Sequence, residues 1–258
     1  MNFLKRLHIR YVLHRHAIPH PLWLAVMEVL PAMHGMTAVE KAHLRELSTL
    51  FLHQKNLMGV QGLELTAEMR LTIAAQACLP VLRLGMECLH GWSDVIVYPG
   101  AFRVNRDAVD AAGVVQQQQR VLSGEAWSRG PIVLSWADIA QDSLSGQPGH
   151  NVVIHEIAHK LDMLNGSCNG YPPLHHEMSV PLWTEVWTKA FNDLQLELEQ
   201  QQYSVINPYA ATDPAEFFAV LSEYFFTAPA LLAHRFTEVY QQLKLYYRQD
   251  PLAIMARN

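Results

Sequence analysis

Apolar residues recur along this chain at two different periods, and the changes of period divide it into elements. In "TAVEKAHLRELSTLFLHQKNL", Leu44, Leu47 and Phe51 return at the interval of a helix with one buried face. Thr37 and Glu40 stand ahead of that pattern at the spacing of a capping box. A second helical pattern runs through "AEMRLTIAAQACL" to Pro80 and is expected to continue past it with a kink. Two β-branched runs, "DVIVYPG" at 94–100 and "GPIVLSW" at 130–136, read as strands. Between them "GVVQQQQRVLSG" has room for a short strand, with the run Gln116 to Gln119 as a polar face or loop. A helix from about residue 150 is stopped by Asn165-Gly166, and "NGSCNGYPP" after it is loop. Further helices are expected over 181–202, from "DPAEFFAVLSEYFF" to Pro229, and over most of 229–249. Residues 1–35, broken by Pro19, Pro21 and Pro31, read as a loosely packed arm with short helical pieces. Strands in the first half and helices in the second predict an α+β fold, with residues 36–258 as one domain behind the arm.

Composition narrows the classes. Half of the 258 residues are hydrophobic and 17% are charged, which suits a folded chain with a sizeable core. The net charge of −5 gives no footprint for direct nucleic-acid binding. No apolar run is long enough for a membrane span. Cys78, Cys88 and Cys168 form no CxxC and leave an odd count, a pattern that fits a reducing cytoplasm. Lys5, Arg6, Arg10 and Arg15 precede any acid, without the apolar segment of a signal peptide. They read as a basic surface arm, or more sharply as a contact for an acidic partner.

Candidate chemistry centres on "VVIHEIAHKLD", residues 152–162. His155 and His159 are four apart and share a helix face, so both imidazoles can meet one ion. Glu156 lies about 100° round the helix, within reach of a water on that ion. Zinc with three protein ligands keeps an open position and lowers the pKa of its water toward about 7, and Glu156 would then act as general base. The competing reading is an ordinary buried helix with incidental histidines. A metzincin extension would put glycine at 162 and histidine or aspartate at 165; the chain has Asp162 and Asn165. His175 and His176 lie in a proline-rich loop. Glu216 opens a second helix and is the better third ligand, although Asp213, Pro214 and Glu216 also read as N-cap, N1 and N3 of a capping box. Glu223, one heptad on, shares that face and competes. Asp162 is a candidate acceptor for a ligand imidazole's other N–H, or a carboxylate solvated near the helix end. Ile132, Val133, Leu134, Ser135 and Trp136 form either a core strand or a sheet edge that pairs with an extended peptide substrate.

These residues carry a resemblance. "HEIAHKLD" followed by "YAATDPAEFFAVLSEYFF" resembles the Mlc titration factor A family, bacterial gluzincin-type zinc metallopeptidases related in their catalytic region to anthrax lethal factor. "VYPGAF", "SGEAW", "GPIVLSWADI" and "FFTAP" also look like family segments, so the likeness spans roughly 40 to 252. It implies a zincin-like fold, one Zn2+ held by His155, His159 and Glu216, Glu156 as general base, and a cytosolic aminopeptidase-like activity. It also implies binding to the glucose repressor Mlc. Some relatives carry a histidine where this chain has Gln116, so a fourth-ligand resting state is in doubt here. Tyr209, seven residues before Glu216 in the turn "NPYAATDP", matches a tyrosine that donates to the developing oxyanion in lethal factor-like gluzincins. The other reading is a ring packed under the helix start.

Overall fold

A computed structural model describes residues 3–100, 102–109, 115–122, 124–126, 130–145 and 147–257, with the backbone alone for 102–126 and for 144 and 145. The chain opens with α1 (Phe3–Arg15) and α2 (His20–Glu28), followed by α3 (Ala38–Gln54), β1 (Asn56–Gly59), α4 (Ala67–Cys78) and β2 (Asp94–Tyr98). Next come β3 (Phe102–Val109), β4 (Val115–Leu122), β5 (Gly124–Ala126), β6 (Ile132–Ser135), α5 (Trp136–Ser145) and α6 (Val152–Asp162). Helices α7 (Val180–Glu199), α8 (Pro214–Thr227), α9 (Pro229–Arg235), α10 (Thr237–Tyr247) and α11 (Pro251–Met255) complete it. The class is α+β, as the order of patterns predicts. Among the described residues no helix is long and apolar enough to cross a membrane.

The four-stranded sheet has the order β1-β2-β6-β5. β1, β2 and β6 are parallel, with Val95 opposite Ile132 and Val97 opposite Leu134, and β5 returns antiparallel along β6. Leu57, Val95, Val97, Ile132 and Leu134 are buried alternately along their strands, the period-two signature of one covered face. α6 lies against β5 and β6 on one side and against α4 and α8 on the other. Ile154, Ile157, Ala158 and Leu161 of α6 are fully buried at that junction. β3 and β4 pair as a two-stranded antiparallel ribbon, with Gln116 on β4 opposite Ala108.

Local chemistry explains the boundaries. Thr37 and Glu40 form the reciprocal cap expected at the start of α3. α4 does not run on past Pro80. It stops at Cys78, and the chain turns through hydrogen bonds from Leu82 N–H to Leu79 O and from Gly85 N–H to Val81 O. Pro80 has no N–H to give the carbonyl one turn back, so the helical ladder ends there, and beyond it the carbonyls of Leu79 and Pro80 accept from Gln249 Nε2. The single last helix expected over 229–249 is broken at Phe236, which adopts φ −134° and buries its ring edge-on to Phe217. Residues 3–35 pack more closely than their prolines suggest, with Val12, Ile18, Trp23, Met27 and Met33 in the main core. Pro21 and Pro31 sit in first turns, where no N–H is needed.

Two glycines with positive φ shape the approach to α8. Gly166 (φ +96°) ends the turn after α6, and a Cβ there would meet open space. Gly170 (φ +73°) lies against the carbonyl of Pro214, the first residue of α8, and a Cβ would run into it. Gly166→Ala is expected to cost about 1 kcal/mol of left-handed strain. Gly170→Ala should cost clearly more, because the clash with backbone adds to the same strain. Thermal melts of the two variants check the order, and equal losses would contradict the close approach.

Candidate metal centre

The N-terminus of α6 is held from several sides. Asn151 caps it, its Oδ1 accepting from Ile154 N–H at 2.9 Å, and its Nδ2 donates to Gln76 Oε1 of α4. Asp142 of α5 accepts from Val152 N–H at 3.0 Å; burial first, and then the nearby Glu223 carboxylate, push its pKa up to about 6. From this anchored start the helix carries His155 and His159 on one side, one turn apart, with ring centroids 4.7 Å apart at 83°.

α8 brings the third group. Its cap is Asp213, whose Oδ1 accepts from Ala215 N–H and Glu216 N–H, both at 2.9 Å. Glu216 is therefore capped and does not complete a capping box with its own carboxylate, which turns toward α6. Glu216 Oε2 lies 3.1 Å from His155 Nε2 and 3.4 Å from His159 Nε2, and the two nitrogens are 3.1 Å apart. Ligand atoms on a tetrahedral zinc with bonds of about 2.0–2.1 Å stand about 3.3 Å apart, so this triangle already has the size of a metal's ligand shell. Glu216 Oε2 is buried and accepts no hydrogen bond, as suits an oxygen directed at a cation. Burial works to raise the Glu216 pKa, but the adjacent imidazoles overcome it and hold the carboxyl well below its usual range. Among the described residues, His155, His159 and Glu216 are the group of three arranged to hold a metal ion.

Glu223 faces the other edge of the same imidazole. Its Oε1 is 2.8 Å from His155 Nδ1, and its Oε2 accepts from Asn151 N–H at 2.6 Å. Burial alone would lower the His155 pKa; the Glu223 charge, with Glu216 and Glu156, raises it well above normal. The two glutamates that compete in the sequence thus take different sides of one ring. Glu223 supplies the carboxylate that a metal-bound histidine usually has behind it, the part expected of Asp162. Asp162 is fully buried, and its Oδ2 accepts from Asn169 N–H at 2.8 Å and Gly170 N–H at 2.7 Å, so it ties down the following loop and bonds neither imidazole. His159 Nδ1 meets Cys168 Sγ of that loop at 3.5 Å. The spacing of residues along α6 gave no sign of either contact, since both partners come from elsewhere in the chain.

The remaining candidates are placed as follows. Glu156 is 1% exposed. Tyr209 sits in a short 3-10 turn, Pro208–Ala211, with its ring 6.2 Å from the His155 ring and 38% of its surface exposed. His175 is turned away, 2.8 Å from Tyr246 O, and His176 is solvent-facing beside Glu177. The strand at 132–135 is not a sheet edge. Its main chain is engaged by β2 on one side and β5 on the other, and Trp136 opens α5. Its β-branched composition describes burial, whereas edge position depends on which strand follows it in the sheet. Among the described residues the outer strand on that side is β5, which lies against α6.

Removing the carboxylate behind His155 in Glu223→Ala is expected to weaken metal affinity about 10–100-fold and to lower the melting temperature, since Asn151 N–H loses its acceptor. Competition against a chromophoric chelator measures the first effect. Wild-type affinity would count against Glu223 as the group that orients the ring.

Comparison with known proteins places this geometry in a family. A family profile described as glucose-regulated metallo-peptidase M90 matches residues 4–248. A Mlc titration factor A of Klebsiella pneumoniae subsp. pneumoniae is 44% identical over 231 residues, which are 89% of this chain and 86% of the relative. One from Salmonella arizonae is 45% identical over 224 residues, 86% of this chain and 88% of the relative. The resemblance seen in the sequence motifs extends over most of the chain, and the protein belongs to the glucose-regulated metallo-peptidase M90 family.

Proposed function

We propose that this protein is a zinc-dependent, aminopeptidase-like metallopeptidase. The observation that carries the reading is the triangle of His155 Nε2, His159 Nε2 and Glu216 Oε2, with sides of 3.1 to 3.4 Å, beside the buried Glu156. A metal used only for structure would need no glutamate at that position. A bound zinc would supply Lewis acidity, polarising the substrate carbonyl and making water nucleophilic near neutral pH. Glu156 takes the proton from the attacking water and delivers it to the leaving amine. The Tyr209 hydroxyl donates to the carbonyl oxygen as negative charge grows there, a contact stronger in the transition state than in the ground state. An extended peptide aligns along the outer edge of β5 by main-chain hydrogen bonds. Residues 36–258 form the catalytic unit and residues 1–35 brace it. The unpaired cysteines suit a reducing cytoplasm.

The relatives' name supports a second role, binding of the glucose repressor Mlc, with no direct contact to nucleic acid. In the alternative reading that role is the whole function: the chain sequesters a transcription regulator and its metal is structural or regulatory.

Glu156→Gln separates the two readings because it spares all three ligands. It should retain about one zinc per chain, as one three-ligand site requires, and lose peptide cleavage while keeping repressor binding. Cleavage at the wild-type rate would remove Glu156 as the base. Tyr209→Phe keeps the ring and should lower kcat about 10²-fold with little change in KM or zinc content. An unchanged kcat would leave Tyr209 with packing alone. Zinc retained in Glu216→Ala, with none in Glu223→Ala, would reverse the ligand assignment.

A further inference from the structure

α1 has two apolar faces, and the fold uses one of them. Val12 is fully buried, and Ile9 and Leu13 pack beside it on the core. Lys5, on the same side, reaches Glu87 at 2.7 Å. At about 100° per residue, Phe3, Leu4, Leu7 and Tyr11 fall on the opposite side as one stripe along the axis. They are 70%, 70%, 46% and 62% exposed. Scattered exposed apolar residues need no explanation, but four in a row on one helix face mark a contact surface.

The borders of the stripe are cationic. By the same rotation, Arg6 and Arg10 flank it on one side and Arg15 on the other, with His14 at its C-terminal end, and no acid occurs before Glu28. Among the described residues the acids of ion pairs belong to other cations, with only Lys5 of this helix engaged. A chain of net charge −5 therefore presents a basic helix with an exposed apolar stripe at its surface.

We propose that the outer face of α1 docks on an anionic lipid surface, lying in the headgroup plane. Phe3, Leu4 and Leu7 enter the acyl boundary, while Tyr11 and the arginines remain at headgroup depth. Charge selects this occupant over a second copy of the chain, because two such faces would bring their arginines together. Shape selects it over an acidic protein. The stripe is convex, and cations border it on both sides, so a flat anionic surface meets the apolar and the charged residues together. With one short helix as the anchor, the association is reversible and weakened by salt.

The full chain should cosediment with phosphatidylcholine vesicles containing about one third phosphatidylglycerol, at least about tenfold more strongly than with phosphatidylcholine alone. Raising salt from about 0.1 M to about 0.5 M should release it. The pair Leu4→Glu and Leu7→Glu should abolish binding, as should Arg6→Glu with Arg10→Glu. Melting temperature and metal content should stay at wild type in both, because these side chains are exposed. Equal binding to both vesicle types, or binding unchanged by the leucine pair, would overturn the proposal. So would retention on a polyglutamate column with none on vesicles, which would assign the face to an acidic protein.

Discussion

One carboxylate fixes the relation between the two helices on which the site is built. Glu223 of α8 accepts the Asn151 N–H that begins α6 and faces Nδ1 of His155 within that helix. Asn151 in turn reaches Gln76 of α4, and Gln76 Nε2 lies 3.3 Å from Ser143 Oγ of α5. Four helices thus meet in a buried polar knot, a favourable arrangement only when its donors and acceptors find each other. Glu216 lies about two turns up α8 from Glu223. A single rigid element therefore sets both the oxygen in front of the His155 ring and the one behind it.

The site gathers negative charge into a buried place. Glu156, Glu216 and Glu223 all act on His155 and favour its cationic form against the effect of burial. Such a concentration of carboxylates is costly without a cation to share. A divalent ion bound here would consequently be coupled to the stability of the α6–α8 junction.

Much of this was legible in the sequence, and the limits have a common cause. The pairing of His155 with His159, the Thr37–Glu40 cap and the stop at Gly166 each depend on a few neighbouring residues and one local geometry, so spacing revealed them. Glu216 was legible as a candidate, but its choice over Glu223 needed either a resemblance or the crossing of two helices. The sequence is silent where a distant segment decides. Asp162 is drawn to the amides of Asn169 and Gly170, and β6 becomes an inner strand because β5 folds back along it. α4 ends at Cys78, and the turn that follows is held by a side chain from residue 249 on the carbonyls of Leu79 and Pro80. The three early prolines suggest breaks, yet two sit in first turns of helical segments whose apolar residues join the core.

The clasp of Gln249 on Leu79 and Pro80 joins segments 170 and 169 residues apart in sequence. Near it, Tyr247 donates to Ser222 Oγ at 2.8 Å inside α8, one residue from Glu223. The consequence concerns the order of events during synthesis. The histidines of α6 emerge well before the glutamates of α8, and α8 lacks its buried support until the tyrosines of α10 have followed. A chain built on such long-range closures gains its native contacts late. The grouping of His155, His159 and Glu216 is completed only after nearly the whole polypeptide has been made, so a nascent chain carries the HExxH sequence without the third side chain in place.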